Sequence, residues 1–363
     1  MRIGIVTFHW SKNYGAALQA YALKIKLENM GYDVNIINYK PKYPKKRESL
    51  DSRMKDYILK ILLIMERKNK NKLHNNFYEF EKNYFNETGE IYYNINEINN
   101  IKYDCIISGS DQLWNPKLTG GMLDRVYFCD FDSTIAHKYV AYAASIGEKN
   151  INFNDATLFT KYLKNFNYIS VRERNLIDEL GKYTDKNIDH VLDPTLLLDS
   201  KDYKIIEQEV KIEKPYLLIY QNTKNSIIYS IAKKIAKQKK LKIYEVAYRK
   251  QVPSHGVSQI TFAGPREFLY LFNNADFILT NTFHGTVFSI IYKKDFISIP
   301  LQGRESRVES LTEKLKLKNR LIYNKDENID AVLKSKINYD EVYKYLDIER
   351  IESQKFLEMS ING

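Results

Sequence analysis

The chain has 363 residues, with 56 lysines and arginines against 45 aspartates and glutamates, giving a formal net charge of +11. Hydrophobic residues at 44% and charged residues at 28% are ordinary for a globular protein and exclude a largely disordered, collagenous or membrane-embedded chain. Only Cys105 and Cys129 are present, so a disulfide framework is excluded and a reducing compartment is expected. A length of this order predicts two domains.

The first forty residues show the alternation of strand and helix that is typical of an α/β protein. Apolar residues 3–8 predict a buried strand, residues 15–30 a helix that ends at Gly31, and residues 33–38 a second strand. Strand, helix and strand in this order indicate a parallel sheet. The opening apolar run is too short for a secretory signal peptide, so we expect a cytoplasmic protein.

Residues 40–100 interrupt this alternation of strands and helices. They predict a basic helical insertion, with helical stretches near 52–67 and 74–85. Residues 40–72 contain twelve basic and four acidic side chains, so most of the net charge lies here. The apolar stretch at 57–65 is too short to cross a membrane. It fits either a core helix with a solvated basic side or a helix that touches an anionic membrane surface. No nucleic-acid-binding motif is found, and no nucleic-acid partner is expected.

The rest of the chain predicts more strands and helices of the same kind. In the first half we expect a helix at 173–180 and strands at 103–108, 126–131, 138–144, 168–171 and 190–192. A charged stretch before Pro215 predicts a domain boundary near 208. Beyond it we expect strands at 216–220, 242–247, 276–280 and 296–299, and helices at 226–237, 265–273 and 285–292. A last helix, within 339–363, is expected to pack back on the first domain.

The loop at 280–286 carries the richest set of polar side chains. In parallel sheets, ligands bind where strands end and helices begin. Asn281, Thr282, His284 and Gly285 follow a predicted strand directly, which places His284 near a helix N-terminus, where backbone N–H groups bind anions. A protonated His284 is a candidate general acid. The alternative is that Thr282 and His284 only cap the helix.

Two further loops follow predicted strands. In the first, the Asn13 amide suits sugar hydroxyls, Gly15 permits close approach of a ligand, and Trp10 and Tyr14 offer flat faces to a sugar ring. The alternative is a helix cap with packed aromatic side chains.

In the second loop, Asp111, followed by Gln112, is a candidate base for an attacking hydroxyl. A turn stabilised by the aspartate side chain is the alternative.

Arginines follow two other strands. Arg172 has the planar fork that clamps a carboxylate or phosphate, although an ion pair on the following helix is the alternative. Arg304 and Arg307 can supply a second cationic contact. The six histidines are scattered without metal-ligand spacing, so no metal site is expected.

Five segments, in this order along the chain, resemble the polysaccharide pyruvyl transferase family. They are NYGAALQA at 13–20, GSDQLWN at 109–115, SVRE at 170–173, DPTLL at 193–197 and NTFHGT at 281–286. The resemblance implies an α/β fold of two Rossmann-like domains with parallel sheets in a glycosyltransferase-B-like arrangement, residues 1–208 on the acceptor side and 209–338 on the donor side. It also implies transfer of the enolpyruvyl carbons of phosphoenolpyruvate to a sugar as a cyclic ketal, with no cofactor.

The resemblance also assigns roles. It implies that His284 is the catalytic histidine and Arg172 a donor-binding arginine. Some members carry an arginine two residues before this histidine, where this chain has Thr282, so we expect Arg304 or Arg307 to replace it. Further expected donor contacts are Asn281, Thr282 and Gly285. Expected acceptor contacts are Asn13, Tyr14, Gly15 and Gln112.

The expected acceptor is a hexose of a surface polysaccharide, such as a capsule or exopolysaccharide, or of its lipid-linked precursor. Two other functions stay open. One is a nucleotide-sugar-dependent glycosyltransferase of the same architecture, for which Glu245 and Asp276 are candidate ribose-binding residues. The other is a non-catalytic protein that binds an anionic glycan or membrane through residues 40–72.

Overall fold

The computed structural model describes residues 1–43, 58–98, 101–131, 135–147, 156–250, 254–324, 327 and 329–363. Side chains are described from residue 67 onward in the first long helix, whose backbone begins at residue 58. Most of the predicted helical stretch at 52–67, and much of the basic insertion, therefore lies outside the described side chains.

Six parallel strands form the first sheet, in the order β2-β1-β3-β4-β5-β6. Its strands are β1 Arg2–Val6, β2 Asp33–Ile36, β3 Tyr103–Ser108, β4 Ala136–Ala144, β5 Tyr168–Val171 and β6 Ile188–His190. The helices of this half are α1 Tyr14–Asn29, α2 Ile58–Tyr84, α3 Ile95–Ile98, α4 Ala156–Leu163, α5 Asn175–Leu180 and α6 Ser200–Lys204.

Five parallel strands form the second sheet, in the order β11-β10-β7-β8-β9. They are β7 Tyr216–Tyr220, β8 Lys242–Val246, β9 Ser258–Ile260, β10 Phe277–Thr280 and β11 Phe296–Ser298. The helices here are α7 Ser226–Lys239, α8 Pro265–Asn274, α9 Phe283–Ile291, α10 Ser306–Lys314, α11 Ile329–Lys334 and α12 Tyr339–Asn362. Two parallel α/β sheets in series confirm the fold class expected from the sequence.

The central strands of both sheets are buried on both faces. All five residues of β7 are buried, as are the last four of β1. Such continuous apolar runs are typical of parallel strands covered by helices on each side. Each fully buried aliphatic side chain contributes about 1.5–3 kcal/mol to folding, so these strands hold the loops at their carboxyl ends in place.

The insertion contributes one long helix, α2, where the sequence suggested two helical stretches. Its later turns bury Leu73, Phe77 and Phe80 in the largest apolar core, which also includes residues of the second domain. Asn76 Nδ2 donates to Phe262 O at 3.0 Å and to Glu267 Oε1 at 2.9 Å, at the start of α8. The helix therefore packs between the domains instead of standing apart on the first one.

The last helix, α12, contacts both halves of the molecule. Leu192 N donates to Ser353 Oγ at 2.9 Å, and Lys138 Nζ donates to Ile361 O at 2.9 Å. Closer to its start, Tyr343 OH donates to Ile291 O at 3.0 Å, in the second half. No helix in the described ranges combines the length and hydropathy that crossing a membrane requires.

The predicted strand at 126–131 is wrong. The chain forms a 3-10 turn over Arg125–Phe128, because the Asp124 carboxylate accepts from Val126 N at 2.9 Å and starts the turn. Cys129, at a φ of 51°, ends it. Three consecutive residues of the turn are buried, which in the sequence resembles the apolar run of a strand.

Candidate active site

A pocket of about 270 Å³ lies where the carboxyl ends of strands from both sheets meet. It contains eight of the twelve residues expected at the site, and we call it the His284 pocket. These eight are Asn13, Asp111, Gln112, Asn281, Thr282, His284, Arg304 and Arg307. Arg172, Tyr14, Gly15 and Gly285 are not among its lining residues.

His284 lies in the first turn of α9, the position that the sequence indicates. Thr280 Oγ1 accepts from Thr282 N at 3.1 Å, and Thr282 Oγ1 accepts from Gly285 N at 2.9 Å. Thr282 is therefore the helix cap as well as a lining residue. A Cβ atom on Gly285 would lie 2.1 Å from Thr280 Oγ1, so this tight turn requires glycine.

A buried carboxylate, Asp193, stands behind the histidine. Its Oδ2 atom is 3.6 Å from His284 Nε2, accepts from Arg172 Nη1 at 2.6 Å and accepts from Ser110 Oγ at 3.1 Å. Its Oδ1 atom accepts from both N and Oγ1 of Thr195, at 3.0 and 2.5 Å. The carboxylate thus contacts Ser110, Arg172 and His284, which lie in three other segments, and Thr195 in its own segment.

The surroundings of Asp193 keep it ionised. Burial alone would raise the pKa of this carboxyl, but the contacts with His284, Arg172 and Thr195 outweigh burial and lower its pKa well below the ordinary value. A permanent negative charge therefore lies 3.6 Å from Nε2 of His284.

Arg172 points inward, away from the pocket. Its side chain is 2% exposed, and its guanidinium lies near three carboxylates, those of Asp193, Glu173 and Asp111, at 2.6, 3.7 and 3.9 Å. Burial opposes the charge, but these carboxylates prevail and raise the pKa of Arg172. The group also packs on the Phe283 ring. Its charge is thus balanced within the protein.

Arg307, unlike Arg172, forms no ion pair with a carboxylate among the described residues. Burial and then the nearby Arg172 lower the pKa of Arg307 to about 10, although Glu173 and Asp111 oppose this shift. Its buried Nε has no hydrogen-bond partner among the described residues, and neither do Nε and Nη2 of Arg172. Arg304, which is exposed, lines the same pocket. These two arginines, and not Arg172, offer cationic groups to a ligand.

Asp111 lines the pocket with an unusual backbone. Its φ is 89°, a conformation that costs a non-glycine residue about 1–3 kcal/mol and that clusters at functional sites. The side chain accepts from Gln112 N at 2.9 Å and is 3.9 Å from Arg172 Nη2. Gln112 Oε1 accepts from Asn115 Nδ2 at 3.1 Å. Asp111 is therefore held as a turn residue and still reaches the pocket.

The first-domain loop contributes less to the pocket than the sequence suggests. Asn13 lines it while capping α1 by accepting from Ala16 N at 3.1 Å. Tyr14 is fully buried between the rings of Tyr248 and Phe268, and its OH donates to Ala263 O at 2.9 Å. Tyr14 joins the domains and offers no face to a sugar in this structure.

Gly15 allows the two domains to approach each other at the site. A Cβ atom at this position would lie 1.9 Å from Nδ1 of His284. The glycine thus makes room for the imidazole ring, where the sequence suggested room for a ligand. Asn281, in the second domain, holds the loop that follows β7. Its side chain donates to Thr223 O and accepts from Asn222 N.

Sequence reasoning missed the central role of Asp193. The signal available was an aspartate before a proline, directly after a predicted strand, in a segment that carries the family resemblance.

Among the residues that the structure describes, no group of three or more His, Cys, Asp or Glu side chains is arranged to hold a metal ion.

Comparison with known proteins identifies a family for this chain. The sequence profile described as polysaccharide pyruvyl transferase matches residues 13–302. The chain belongs to the polysaccharide pyruvyl transferase family. This membership indicates a pyruvyl transferase enzyme of polysaccharide biosynthesis. None of the curated proteins matches the sequence significantly.

Solved structures similar to this pyruvyl transferase support the fold alone. A protein described as a UDP-N-acetylglucosamine 2-epimerase from Listeria monocytogenes has 9% identity and a TM-score of 0.51, over 96% of this chain and 90% of that one. S. aureus MnaA in complex with UDP has 10% identity and a TM-score of 0.50, over 98% and 88%. These neighbours are of the glycosyltransferase-B-like type.

Proposed function

We propose that this enzyme transfers the enolpyruvyl carbons of phosphoenolpyruvate to a hexose of a surface polysaccharide or its lipid-linked precursor, forming a cyclic pyruvate ketal. The observation that carries the proposal is the pairing of His284 with the buried Asp193 carboxylate, beside two arginines in one pocket, in a member of this family.

The donor's charge suits the cations of the His284 pocket. Phosphoenolpyruvate carries about three negative charges near neutral pH, since its phosphate is largely doubly ionised and its carboxylate is ionised. In the proposal, Arg307 and Arg304 bind these anionic groups, and the first turn of α9 adds its backbone N–H groups. Arg172 acts indirectly, by holding Asp193.

The proposed reaction begins with a proton transfer. Protonated His284 delivers its proton to the methylene carbon of phosphoenolpyruvate, which becomes a methyl group and leaves positive charge at C2. A sugar hydroxyl adds to C2 and loses its proton, with Asp111 as the base. The C2–O bond to phosphate then breaks, and phosphate leaves with the bonding pair. A second hydroxyl adds to C2 and closes the ring. Of the two hydroxyl protons, one restores His284 and the other leaves with phosphate.

The acceptor occupies the first-domain side of the pocket. Asn13 and Gln112 provide amide groups for sugar hydroxyls, and the Trp10 side chain provides an apolar surface. Asp111 lies on the same wall. In the proposal, the two hydroxyls that form the ketal reach C2 from this side, while the donor's anionic groups stay on the arginine side.

Incubation with phosphoenolpyruvate and a panel of free, nucleotide-linked and lipid-linked hexoses tests the proposal. Mass spectrometry should find one acceptor that gains a pyruvate less water, with release of one phosphate. His284→Ala should reduce this turnover by about 10²–10⁴-fold, the usual contribution of a general acid. His137→Ala, an exposed histidine at the start of β4, is the matched control. Wild-type turnover in His284→Ala would contradict the assignment.

A nucleotide-sugar-dependent glycosyltransferase is a second candidate, because one observation favours it. Glu245, near the end of β8, is 3% exposed and lines a second pocket between the domains, where a carboxylate can bind ribose hydroxyls. MnaA, a structural neighbour, was solved with UDP. Transfer of a hexose from UDP- or GDP-sugars in the same panel, without any pyruvyl transfer, would favour this function.

A further inference from the structure

A second pocket, of about 490 Å³, opens beside the His284 pocket. It lies between α2, the loop between β1 and α1, and the loops that follow β7 and β8. We call it the basic pocket because its lining includes six basic side chains: Lys12, Lys70, His74, Lys224, Arg249 and Lys250. No group assigned above to pyruvyl transfer lines it.

Nearby carboxylates, Glu245 in the lining and Glu81 near Lys12, balance only part of this charge. Among the described residues, Lys70, Arg249 and Lys250 form no ion pair with an aspartate or glutamate. An isolated lysine on an open surface is simply hydrated, but several cations around one concavity create a shared positive potential that attracts anions.

The acidic residue in the lining, Glu245, offsets one of the positive charges and is held in place by hydrogen bonds. Its Oε1 accepts from Gln221 Nε2 at 2.7 Å and from Tyr229 OH at 2.9 Å, and its Oε2 accepts from Gln259 Nε2 at 3.1 Å. These three donors are neutral and fix the position of the carboxylate, so one negative charge remains beside the basic side chains.

The cations on the α2 side repel one another. Lys12 Nζ donates to Nδ1 of His74 at 2.6 Å, so the imidazole acts as a neutral acceptor. Burial lowers the pKa of Lys12, with Lys70 adding to the effect and Glu81 opposing it. Burial, then Lys12 and Lys70, lower the pKa of His74. An anion bound among these groups relieves the repulsion.

The two pockets adjoin each other. Asn222 lines both of them. Along one short loop, Ser11 and Asn13 line the His284 pocket, while Lys12, between them, lines the basic pocket. A single ligand can therefore place a sugar in the His284 pocket and an attached anionic group in the basic pocket.

We propose that the basic pocket binds the diphosphate group of the acceptor, which is then a saccharide activated as a diphosphate ester. This inference rests on the proposed function, since it concerns the acceptor of that reaction. Cations from four chain segments surround a space larger than the His284 pocket, and a diphosphate presents two adjacent anionic groups to such an array. The charged hydrogen bonds between them are short and strong.

Binding titrations in the absence of phosphoenolpyruvate test the proposal with three probes: inorganic diphosphate, UDP and farnesyl diphosphate. The double variant Lys70→Ala/Arg249→Ala should weaken binding of the diphosphate probes at least tenfold. Arg67→Ala/Lys68→Ala is the matched control, because it removes one arginine and one lysine from the exposed side of α2, outside the pocket. The control should bind like the wild type.

The probes also distinguish the sources of the diphosphate. Tighter binding of farnesyl diphosphate than of UDP indicates a lipid-linked acceptor, and the reverse order indicates a nucleotide-linked one. The proposal is overturned if no probe binds, if the double variant binds like the wild type, or if its control loses as much affinity. It is also overturned if Arg307→Ala abolishes binding while the double variant does not, because the probes then occupy the His284 pocket.

Probe binding and turnover are measured separately, so the diphosphate site and the pyruvyl transfer can each be disproved alone. Probe binding needs no turnover, so it is measured even if no acceptor is pyruvylated. Where an acceptor is found, Lys70→Ala/Arg249→Ala should raise KM for its diphosphate-linked form about tenfold and leave KM for phosphoenolpyruvate unchanged. An equal loss for the free saccharide contradicts a diphosphate subsite without contradicting pyruvyl transfer.

Discussion

Asp193 places a carboxylate oxygen 3.6 Å from Nε2 of His284. The aspartate belongs to the first half of the chain and the histidine to the second, so the contact crosses the cleft between the sheets. Arg172 and Ser110 hold the same oxygen from the first-domain side. Domain packing and the position of the candidate acid are therefore coupled through one atom.

Asp193→Asn should lower kcat while changing KM for phosphoenolpyruvate little. The amide keeps the size of the carboxylate but removes the negative charge that faces His284, the proton donor of the proposed reaction. Because a general acid contributes about 10²–10⁴-fold, we expect a loss of at least about tenfold. Steady-state kinetics measured well below the melting temperature separate kcat from KM. Asp199→Asn, which alters a half-exposed pair with Arg350, is the control and should retain kcat.

Gly15→Ala should damage the site without weakening the helix. A Cβ atom would lie 1.9 Å from Nδ1 of His284 and must displace the ring. The same change in α1 reduces the conformational freedom of the unfolded chain, which by itself stabilises a protein by about 0.4–1 kcal/mol. We expect a large loss of turnover, and overpacking against the ring should lower stability by about 1–3 kcal/mol, partly offset by the gain in α1. In the control Gly89→Ala, where a Cβ meets nothing within 4 Å, turnover should be unchanged.

Much of the site was predictable because parallel sheets bring the carboxyl ends of their strands to one edge. This rule located His284, Asp111 and Asn13 in one cleft from their positions after strands. It could not show that Arg172 turns inward, because that depends on the carboxylates of Asp193 and Glu173, which the fold places beside it.

Two other differences have the same origin. Tyr14 looked like a ligand-binding ring, but the second domain and α2 close over it, and such contacts are distant in sequence. The 3-10 turn over Arg125–Phe128 depends on a local cap and on burial of three consecutive side chains, which periodicity alone does not separate from a strand. Membrane contact by the basic insertion stays a prediction, since residues 44–57 lie outside the described chain.

Arg307→Ala and Arg172→Ala should affect different quantities: the first donor binding, the second stability. Removing Arg307 takes away a half-buried cation that forms no ion pair among the described residues, so we expect a raised KM for phosphoenolpyruvate with little loss of stability. Removing Arg172 leaves the buried carboxylates of Asp193 and Glu173 without their cation, which costs about 3–5 kcal/mol. Thermal unfolding and donor titration measure the two effects.

The matched control for both arginines is Arg125→Ala, a largely exposed residue paired with Asp130. It should alter neither quantity much. If instead Arg172→Ala melts like the wild type and only its KM rises, the arginine acts directly on the donor, as the family resemblance implied, and the inward-facing arrangement is not the functional one.

Tyr14→Phe should weaken the contact between the domains and leave the chemistry intact. The change removes one hydrogen bond, from the hydroxyl to Ala263 O at 2.9 Å, and keeps the ring between Tyr248 and Phe268. A buried hydrogen bond of this kind contributes about 0.5–1.5 kcal/mol. Denaturant unfolding should show a loss in this range, and KM for the acceptor should not change. A raised acceptor KM would instead return Tyr14 to the acceptor site.

His190 should make stability depend on pH. Burial, reinforced by Lys314 and Arg174, lowers the pKa of His190 to about 4, although Nε2 donates to the Arg172 carbonyl at 3.1 Å. In the unfolded chain its pKa is about 6.5. The unfolded state therefore binds the proton first on acidification, so the stabilisation is complete above about pH 6.5 and is lost as the pH falls towards 4.

At about 1.4 kcal/mol per pKa unit, this loss is at most about 3 kcal/mol. His190→Gln keeps a side-chain donor for the carbonyl but does not titrate, so its free energy of unfolding should fall less steeply between pH 6.5 and 4. Some slope should remain, because burial also lowers the pKa of His9 to about 4. Urea unfolding at four or five pH values measures the slope. His137→Gln, on the exposed start of β4, should retain the wild-type slope, and an unchanged slope in His190→Gln would contradict the assignment.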